Sequence, residues 1–263
     1  MIRTFLAEWR KLRRPTLFLG SLVAALSLSS LVTSILFLMV DSRTGNSRRG
    51  EMVSRATLEL PSGVVIGFSG AAGFLGLIAL CVFAAQTAQE YTYGTLRNIL
   101  VRQPRRFRLL VGKYLAMLTF AKLIIVLACA FNIALAYTLA HKMNVSTAAW
   151  GTHSGLVDLF HTYVNVLIAA FAYGTIGMIL GLLLRSPISA ISIGIGWLLI
   201  VDNILAATIN NSAKWLPGQM IDTIARGKSP EMSYLHATTT ISIYLVIASA
   251  IAVVLFRRRD VSN

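Results

Sequence analysis

A chain of 263 residues with 13% charged residues, 56% apolar residues and a mean hydropathy of +0.71 is not composed like a soluble domain; in soluble domains about a quarter of residues are charged. The formal charge of +14 fits two kinds of partner, nucleic acid or a membrane surface. The long apolar runs decide for the lipid bilayer and exclude nucleic acid. Cys81 and Cys129 both lie inside apolar runs and read as small buried hydrophobes rather than a disulfide pair.

The first segment, 1–15, places Ile2, Phe5, Leu6, Trp9 and Leu12 at helical spacing, with Arg3, Arg10 and Arg14 elsewhere on the turn. That is the pattern of an interfacial helix lying on a membrane. The first apolar run, 16–40, is longer than the core of a cleavable leader, about 7–15 residues. Further runs follow at 63–87, 109–140, 161–184, 187–209 and 238–256. Each suffices for a crossing helix, which needs about 20 apolar residues. A helix also satisfies its own backbone in lipid, and the alternating pattern of a membrane barrel is absent. The fold class is therefore an all-α integral membrane protein, one transmembrane domain over 1–263 with six transmembrane helices.

Lysine and arginine set the orientation. With the N-terminus inside, the inner segments carry fifteen of them, including Arg3, Arg10, Lys11, Arg13, Arg14 and Arg257 to Arg259. The outer loops carry eight, mixed with Asp41, Glu51, Glu59, Asp158, Asp222 and Glu231. Both termini are expected in the cytoplasm of a multi-pass cell (plasma) membrane protein, with a bacterial inner membrane as the expected setting.

The connection between the second and third runs reads QEYTYGTLRNILVRQPRRFRLLVGKY, residues 89–114. Leu96, Ile99 and Leu100 fall at i, i+3 and i+4, so 89–104 predicts a short amphipathic helix that Pro104 ends. Gly94 permits a tight or close backbone approach. Glu90, read as lying near the helix start, favours the helix dipole there. Arg105, Arg106 and Arg108 are expected to face lipid phosphates, and Lys113 to open the third span.

This run resembles the permease subunit of type-2 ABC exporters (the ABC-2 class). The resemblance rests on Glu90-Tyr91-x-Tyr-Gly94-Thr95-Leu96-Arg97-x-x-Leu100, followed by Pro104, Arg106 and Lys113. It implies that this cytoplasmic segment is a coupling helix docking on a separate ABC ATPase subunit, through Glu90, Tyr91, Gly94, Thr95, Leu96, Arg97, Ile99 and Leu100. It also implies a second permease copy, as a homodimer or related heterodimer. No cofactor is then bound by this chain; ATP and Mg belong to the partner ATPase. The expected function is export of an amphipathic or hydrophobic substrate (peptide, drug or lipid-like). The resemblance also places the conduit between two permeases, near the second and fifth spans, where Phe68, Phe74, Phe83, Trp197, Asp202 and Asn203 stand.

The chain itself carries no phosphate-binding loop of the form GxxxxGK[ST]. The near miss at Gly227-Lys228-Ser229 has Asp222 where the first glycine belongs. The chain is thus not an enzyme by itself. Two charges lie within spans, Lys122 and Asp202, each costing about 2.5–3.5 kcal/mol at a bilayer centre by insertion scales. Their depths differ, so a direct pair is not expected; Lys122 either snorkels or joins the substrate path. The segment 210–237 contains WLPGQMIDTIARG, with Pro217 suited to start a short external or re-entrant helix and Gly227 to end it.

Two rivals remain. Gly67-Phe68-Ser69-Gly70 and His161-x-x-x-Asn165 resemble motifs of rhomboid intramembrane serine proteases, but in reversed order; the glycine series from Gly63 to Gly76 also reads as a close-packing face. An accessory or immunity membrane protein without a transport cycle is the other. His141, His153, His161 and His236 have no acid at ligand spacing, so no metal site is expected.

Overall fold

The structure, a computed structural model, describes residues 2–40, 54–95 and 106–258. Among these residues there is no strand. Six helices are long and apolar enough to cross a membrane: Pro15–Leu38, Ala72–Thr92, Arg106–Lys142, His153–Leu184, Pro187–Thr208 and Tyr234–Arg258. The chain is an all-α, multi-pass membrane protein. In chain order the helices are α1 (Ile2–Leu12), α2 (Pro15–Leu38), α3 (Arg55–Glu59), α4 (Ile66–Gly70) and α5 (Ala72–Thr92). They continue with α6 (Arg106–Lys142), α7 (His153–Leu184), α8 (Pro187–Ile195), α9 (Asp202–Thr208), α10 (Pro217–Arg226) and α11 (Tyr234–Arg258).

The centre of the bundle is the pair α5 and α7. Gly177 lies against the backbone of Leu80 and Gly181 against that of Ala84, while Gly174 makes room for the Phe83 ring and Gly76 for Tyr173. A bilayer gives helices no hydrophobic reason to associate, so close approach over small residues supplies the contact. The glycine face read in the second run is only partly the one used: Gly76 packs on α7, Gly67 packs on Thr33 of α2, and Gly73 meets nothing.

The first span follows the same rule with hydroxyls. Its buried residues, Ser21, Ala25, Ser29, Thr33 and Phe37, recur every four residues and pack on α6. There Asn132 is held at full burial: its Nδ2 donates to Ser29 Oγ at 2.8 Å and to Ala128 O at 2.8 Å, and Thr33 Oγ1 donates to its Oδ1 at 2.5 Å. At the far end from the basic termini, an apolar plug gathers Phe37, Leu58, Val65, Ala140 and Trp150. The Trp150 indole Nε1 donates to Leu58 O at 2.9 Å.

Several helix bounds differ from the apolar runs. The second run is broken: a 3-10 turn over Pro61–Val65 and the short α4 precede α5, which continues five residues past the run to Thr92. Hydropathy falls at Gln86, Gln89 and Glu90, yet Gln86 and Glu90 are buried against protein, and the helix continues. Helix α7 starts at His153, eight residues before its run, because Thr152 caps it by accepting from Gly155 N at 3.3 Å. The fifth span is interrupted by a π turn over Gly196–Val201, a feature that inserts a residue and re-aims the remainder of the span.

The helix expected over 210–237 forms as α10, with Pro217 at its start and Gly227 in the left-handed conformation at its end (φ +74°). Met220, Ile221 and Ile224 are fully buried, and its first turn meets Asp202 within the fifth span.

Candidate functional site

Helix α1 was expected to lie on the membrane by its apolar stripe. Ile2 and Leu6 of that stripe stay exposed, while Thr4, Glu8 and Leu12 are buried, so the opposite edge turns into the protein. Phe5 and Trp9 stack at 6.3 Å and pack partly against the core. The inward turn has a specific cause. Glu8 and Lys11, one turn apart, reach a buried cluster completed by Glu90 from the last turn of α5 and Lys113 from the second turn of α6.

Four ion pairs join these side chains. Lys113 Nζ lies 2.6 Å from Glu90 Oε1 and 3.3 Å from Glu8 Oε2. Lys11 Nζ lies 2.6 Å from Glu8 Oε1 and 2.9 Å from Glu90 Oε1. Glu8, Glu90 and Lys113 are 4%, 7% and 2% exposed. Two acids and two bases leave no net charge, which makes burial tolerable. Partial burial acts to lower the Lys11 pKa, but the neighbouring Glu90 and Glu8 carboxylates outweigh it and hold the amine above the ordinary value of 10.5.

This placement corrects two expectations. Glu90 is not at a helix start; it lies in the C-terminal turn of α5, where the dipole opposes a negative charge. The two lysines are what compensate it. Lys113 does not open the third span; that helix already begins at Arg106.

Glu90 and Lys113 therefore clasp the two roots of the 93–105 connection, at the end of α5 and the start of α6, and tie both to α1. Gly94 lies just past the end of α5 with φ +63°. A Cβ there would meet none of the described residues within 4 Å, and the left-handed backbone is what the position asks of a glycine. Gly94 N donates to Tyr91 O at 3.2 Å, and Thr95 Oγ1 to Glu90 O at 3.5 Å. Tyr91 carries the Arg185 guanidinium over its ring at 5.6 Å, which links this root to the turn between α7 and α8. Leu96, Arg97, Ile99 and Leu100, with the rest of the stripe to Pro104, lie outside the described residues.

Arg106, expected to face phosphates, does different work. Its Nη1 donates to Phe256 O at 3.0 Å and Arg257 O at 3.1 Å, with the guanidinium 5.9 Å from the Phe256 ring. It satisfies the free carbonyls at the end of α11.

The candidate substrate-path residues do not gather in one place. Phe68 and Phe83 are buried in the core, and Phe83 meets Tyr114 edge-on at 6.2 Å. Phe74 and Trp197 are exposed. Asn203 is exposed and donates to Leu199 O at 2.9 Å, with Gln219 Nε2 3.4 Å from its Oδ1. Asp202 is fully buried and accepts from Gly218 N in the first turn of α10, so it caps a helix and does not pair with Lys122. Lys122 is exposed on the outward face of α6.

The Ser–His pair that a protease needs is not assembled among the described residues. Ser69 Oγ donates back to Ile66 O at 3.0 Å, the His236 ring lies 3.2 Å from Lys214 O, and Asn165 Oδ1 accepts from Tyr234 OH at 2.9 Å.

Reading by residue type missed Glu8 and Lys11. A signal was present: Glu8 is the one acid in the first fifteen residues, set among apolar and basic neighbours where a plain interfacial anchor has no use for it.

The protein described as uncharacterized protein YhcI of Bacillus subtilis (strain 168) is 22% identical over 214 residues, covering 72% of this chain. The match spans 65% of that relative's length. A family whose description is "Protein of unknown function (DUF2705)" matches residues 53–262, most of the chain and every part of the site except α1, and the chain belongs to that family.

Proposed function

We propose that the chain is the membrane-spanning permease subunit of an ATP-driven exporter, working with a separate ABC ATPase subunit and a second permease copy. The observation that supports this reading best is the Glu8–Lys11–Glu90–Lys113 cluster. A slack tether between two spans needs no buried charges at its roots. A segment that must pass a push from a partner to the bundle needs both roots fixed to rigid elements, because packed elements move as bodies. Glu90, Lys113 and Arg106 fix them to α1, α5, α6 and α11.

In this reading the 93–105 connection seats in a groove of the ATPase, an amphipathic helix presenting Leu96, Ile99 and Leu100. ATP-driven closure shifts that helix, and the clasp transmits the shift to the second and third spans together with α1. The basic ends face the cytoplasm of a cell membrane, following the lysine and arginine asymmetry. The substrate is amphipathic or hydrophobic, consistent with few charges inside the spans.

The test is co-expression with the ATPase encoded nearest the gene. Stable co-purification is expected, with substrate-stimulated ATP hydrolysis that falls at least ten-fold in Gly94→Trp and Leu100→Asp while the permease stays folded. An intact chain that never retains an ATPase, or variants that leave hydrolysis untouched, would overturn the proposal.

A further inference from the structure

The sixth span is held mainly at its ends. Near one end Tyr234 bonds to Asn165; at the other Arg106 holds the last carbonyls. Along its flank, between α6, α7 and α11, lies a cleft of about 230 Å³. Its walls include Phe107, Val111 and Tyr114 of α6, Met178 of α7, and Ser249 and Val253 of α11. The polar atoms of Tyr114 and Thr175 in this wall are already satisfied by each other, at 2.7 Å, and Thr175 also bonds Phe171 O. In a bilayer such a cleft is filled by hydrocarbon, since water there would lack partners.

The end of this cleft is basic. Arg106 brings the start of α6 beside the end of α11, so Arg108 in the first turn of α6 and Arg257 and Arg258 in the last turn of α11 stand near that end. All three are exposed, and no acid among the described residues pairs with their side chains. Arg106 is occupied by backbone carbonyls, which leaves these three to meet an anion.

We propose that this cleft and its rim bind one anionic phospholipid of the bilayer, an acyl chain lying against Phe107, Val111 and Val253 and the phosphate headgroup against Arg108, Arg257 and Arg258. Basic pockets between spans are the usual place for such headgroups. The exporter reading enters only in naming the leaflet, the cytoplasmic one; the binding itself requires no ATPase.

The experiment uses the full chain in nanodiscs of phosphatidylcholine carrying a trace of diazirine-acyl phosphatidylglycerol or, separately, diazirine-acyl phosphatidylcholine. Photolabelled residues are mapped by mass spectrometry. The phosphatidylglycerol probe is expected to label Phe107, Val111 and Val253 several-fold more than the phosphatidylcholine probe, and unlabelled phosphatidylglycerol should compete. Each of Arg108→Gln, Arg257→Gln and Arg258→Gln should reduce that preference, by roughly five-fold at low salt if each arginine acts at full strength. Ser249→Trp, which fills the cleft, should lower labelling by both probes, whereas Val246→Trp on the exposed face of the same helix should not. Equal labelling by the two probes, labelling no stronger than at Val246 and Ile247, or cross-links from a second copy into the cleft would overturn the assignment. Loss of the lipid preference in a chain that still couples to an ATPase would sink this inference alone.

Discussion

Two of the acids buried in this bundle, Glu90 and Asp202, are accommodated by opposite means. Glu90 sits at the wrong end of its helix and is neutralised by whole charges, Lys11 and Lys113, brought from two other helices. Asp202 sits at depth in the fifth span and is met by a backbone N–H in the first turn of α10, where the partial positive charge of a helix start favours it. The first arrangement joins separate elements and is unforgiving, since each charge requires the others. The second is a local cap, and a neutral side chain of the same shape serves it nearly as well.

Substitutions sharpen that contrast, beginning with the largest expected effect. Glu90→Ala leaves the buried Lys113 only its 3.3 Å contact with Glu8, which Lys11 shares, and breaking a buried pair in this way costs about 3–5 kcal/mol. Thermal unfolding in detergent should show it as the most destabilised variant. The double variant Glu90→Leu with Lys113→Met is expected to recover much of the loss, leaving Glu8 and Lys11 as a balanced pair. A double variant no more stable than Glu90→Ala would break the comparison.

At the other acid, Asp202→Asn should cost less than about 1 kcal/mol, because an amide oxygen still accepts from Gly218 N. Asp202→Ala should cost about 1–3 kcal/mol by leaving that buried N–H without a partner. The same unfolding measurement separates the two. If Asn and Ala are equally damaging, the charge and not the cap is what matters at this position.

A smaller effect is expected at Gly94→Ala, about 1 kcal/mol for placing a Cβ in the left-handed region. No described residue stands within 4 Å of a Cβ there, and asparagine tolerates the left-handed region better than alanine, so Gly94→Asn should be milder than Gly94→Ala. Hydrogen exchange at the end of α5 reads both variants.

The smallest effect concerns pH. Because Lys11 titrates above its ordinary value of 10.5 in the fold, its contribution is complete below that value and is lost as pH rises through the elevated one. Stability should be insensitive to this pair through neutral pH and fall in strong alkali. Lys11→Met should remove that alkaline component.

Much of this architecture is legible in sequence, for identifiable reasons. Six apolar runs give six spans because length and hydropathy alone decide what crosses a bilayer. Pro217 and Gly227 mark α10 because fixed φ at a start and positive φ at an end are residue-specific demands. What hydropathy cannot see is which face a polar residue turns. Gln86 and Glu90 look like the end of a span and are instead part of its buried surface. The amphipathic stripe of α1 does not reveal that Glu8 and Lys11 turn its other edge inward. The partner of Glu90 lies 23 positions along the chain at Lys113 and 79 positions back at Lys11, separations no periodicity reveals.

The cluster also imposes an order on the making of the protein. Glu8 and Lys11 leave the ribosome first and, one turn apart, have only each other to pair with. Glu90 comes next, and the arrangement cannot close until residue 113 has been added and the third span has taken its place. Until then α1 stays free to remain at the membrane surface. Docking of α1 is thus a late event governed by the second and third spans, and a chain whose third span inserts wrongly would carry an undocked N-terminal helix that a surface protease can reach.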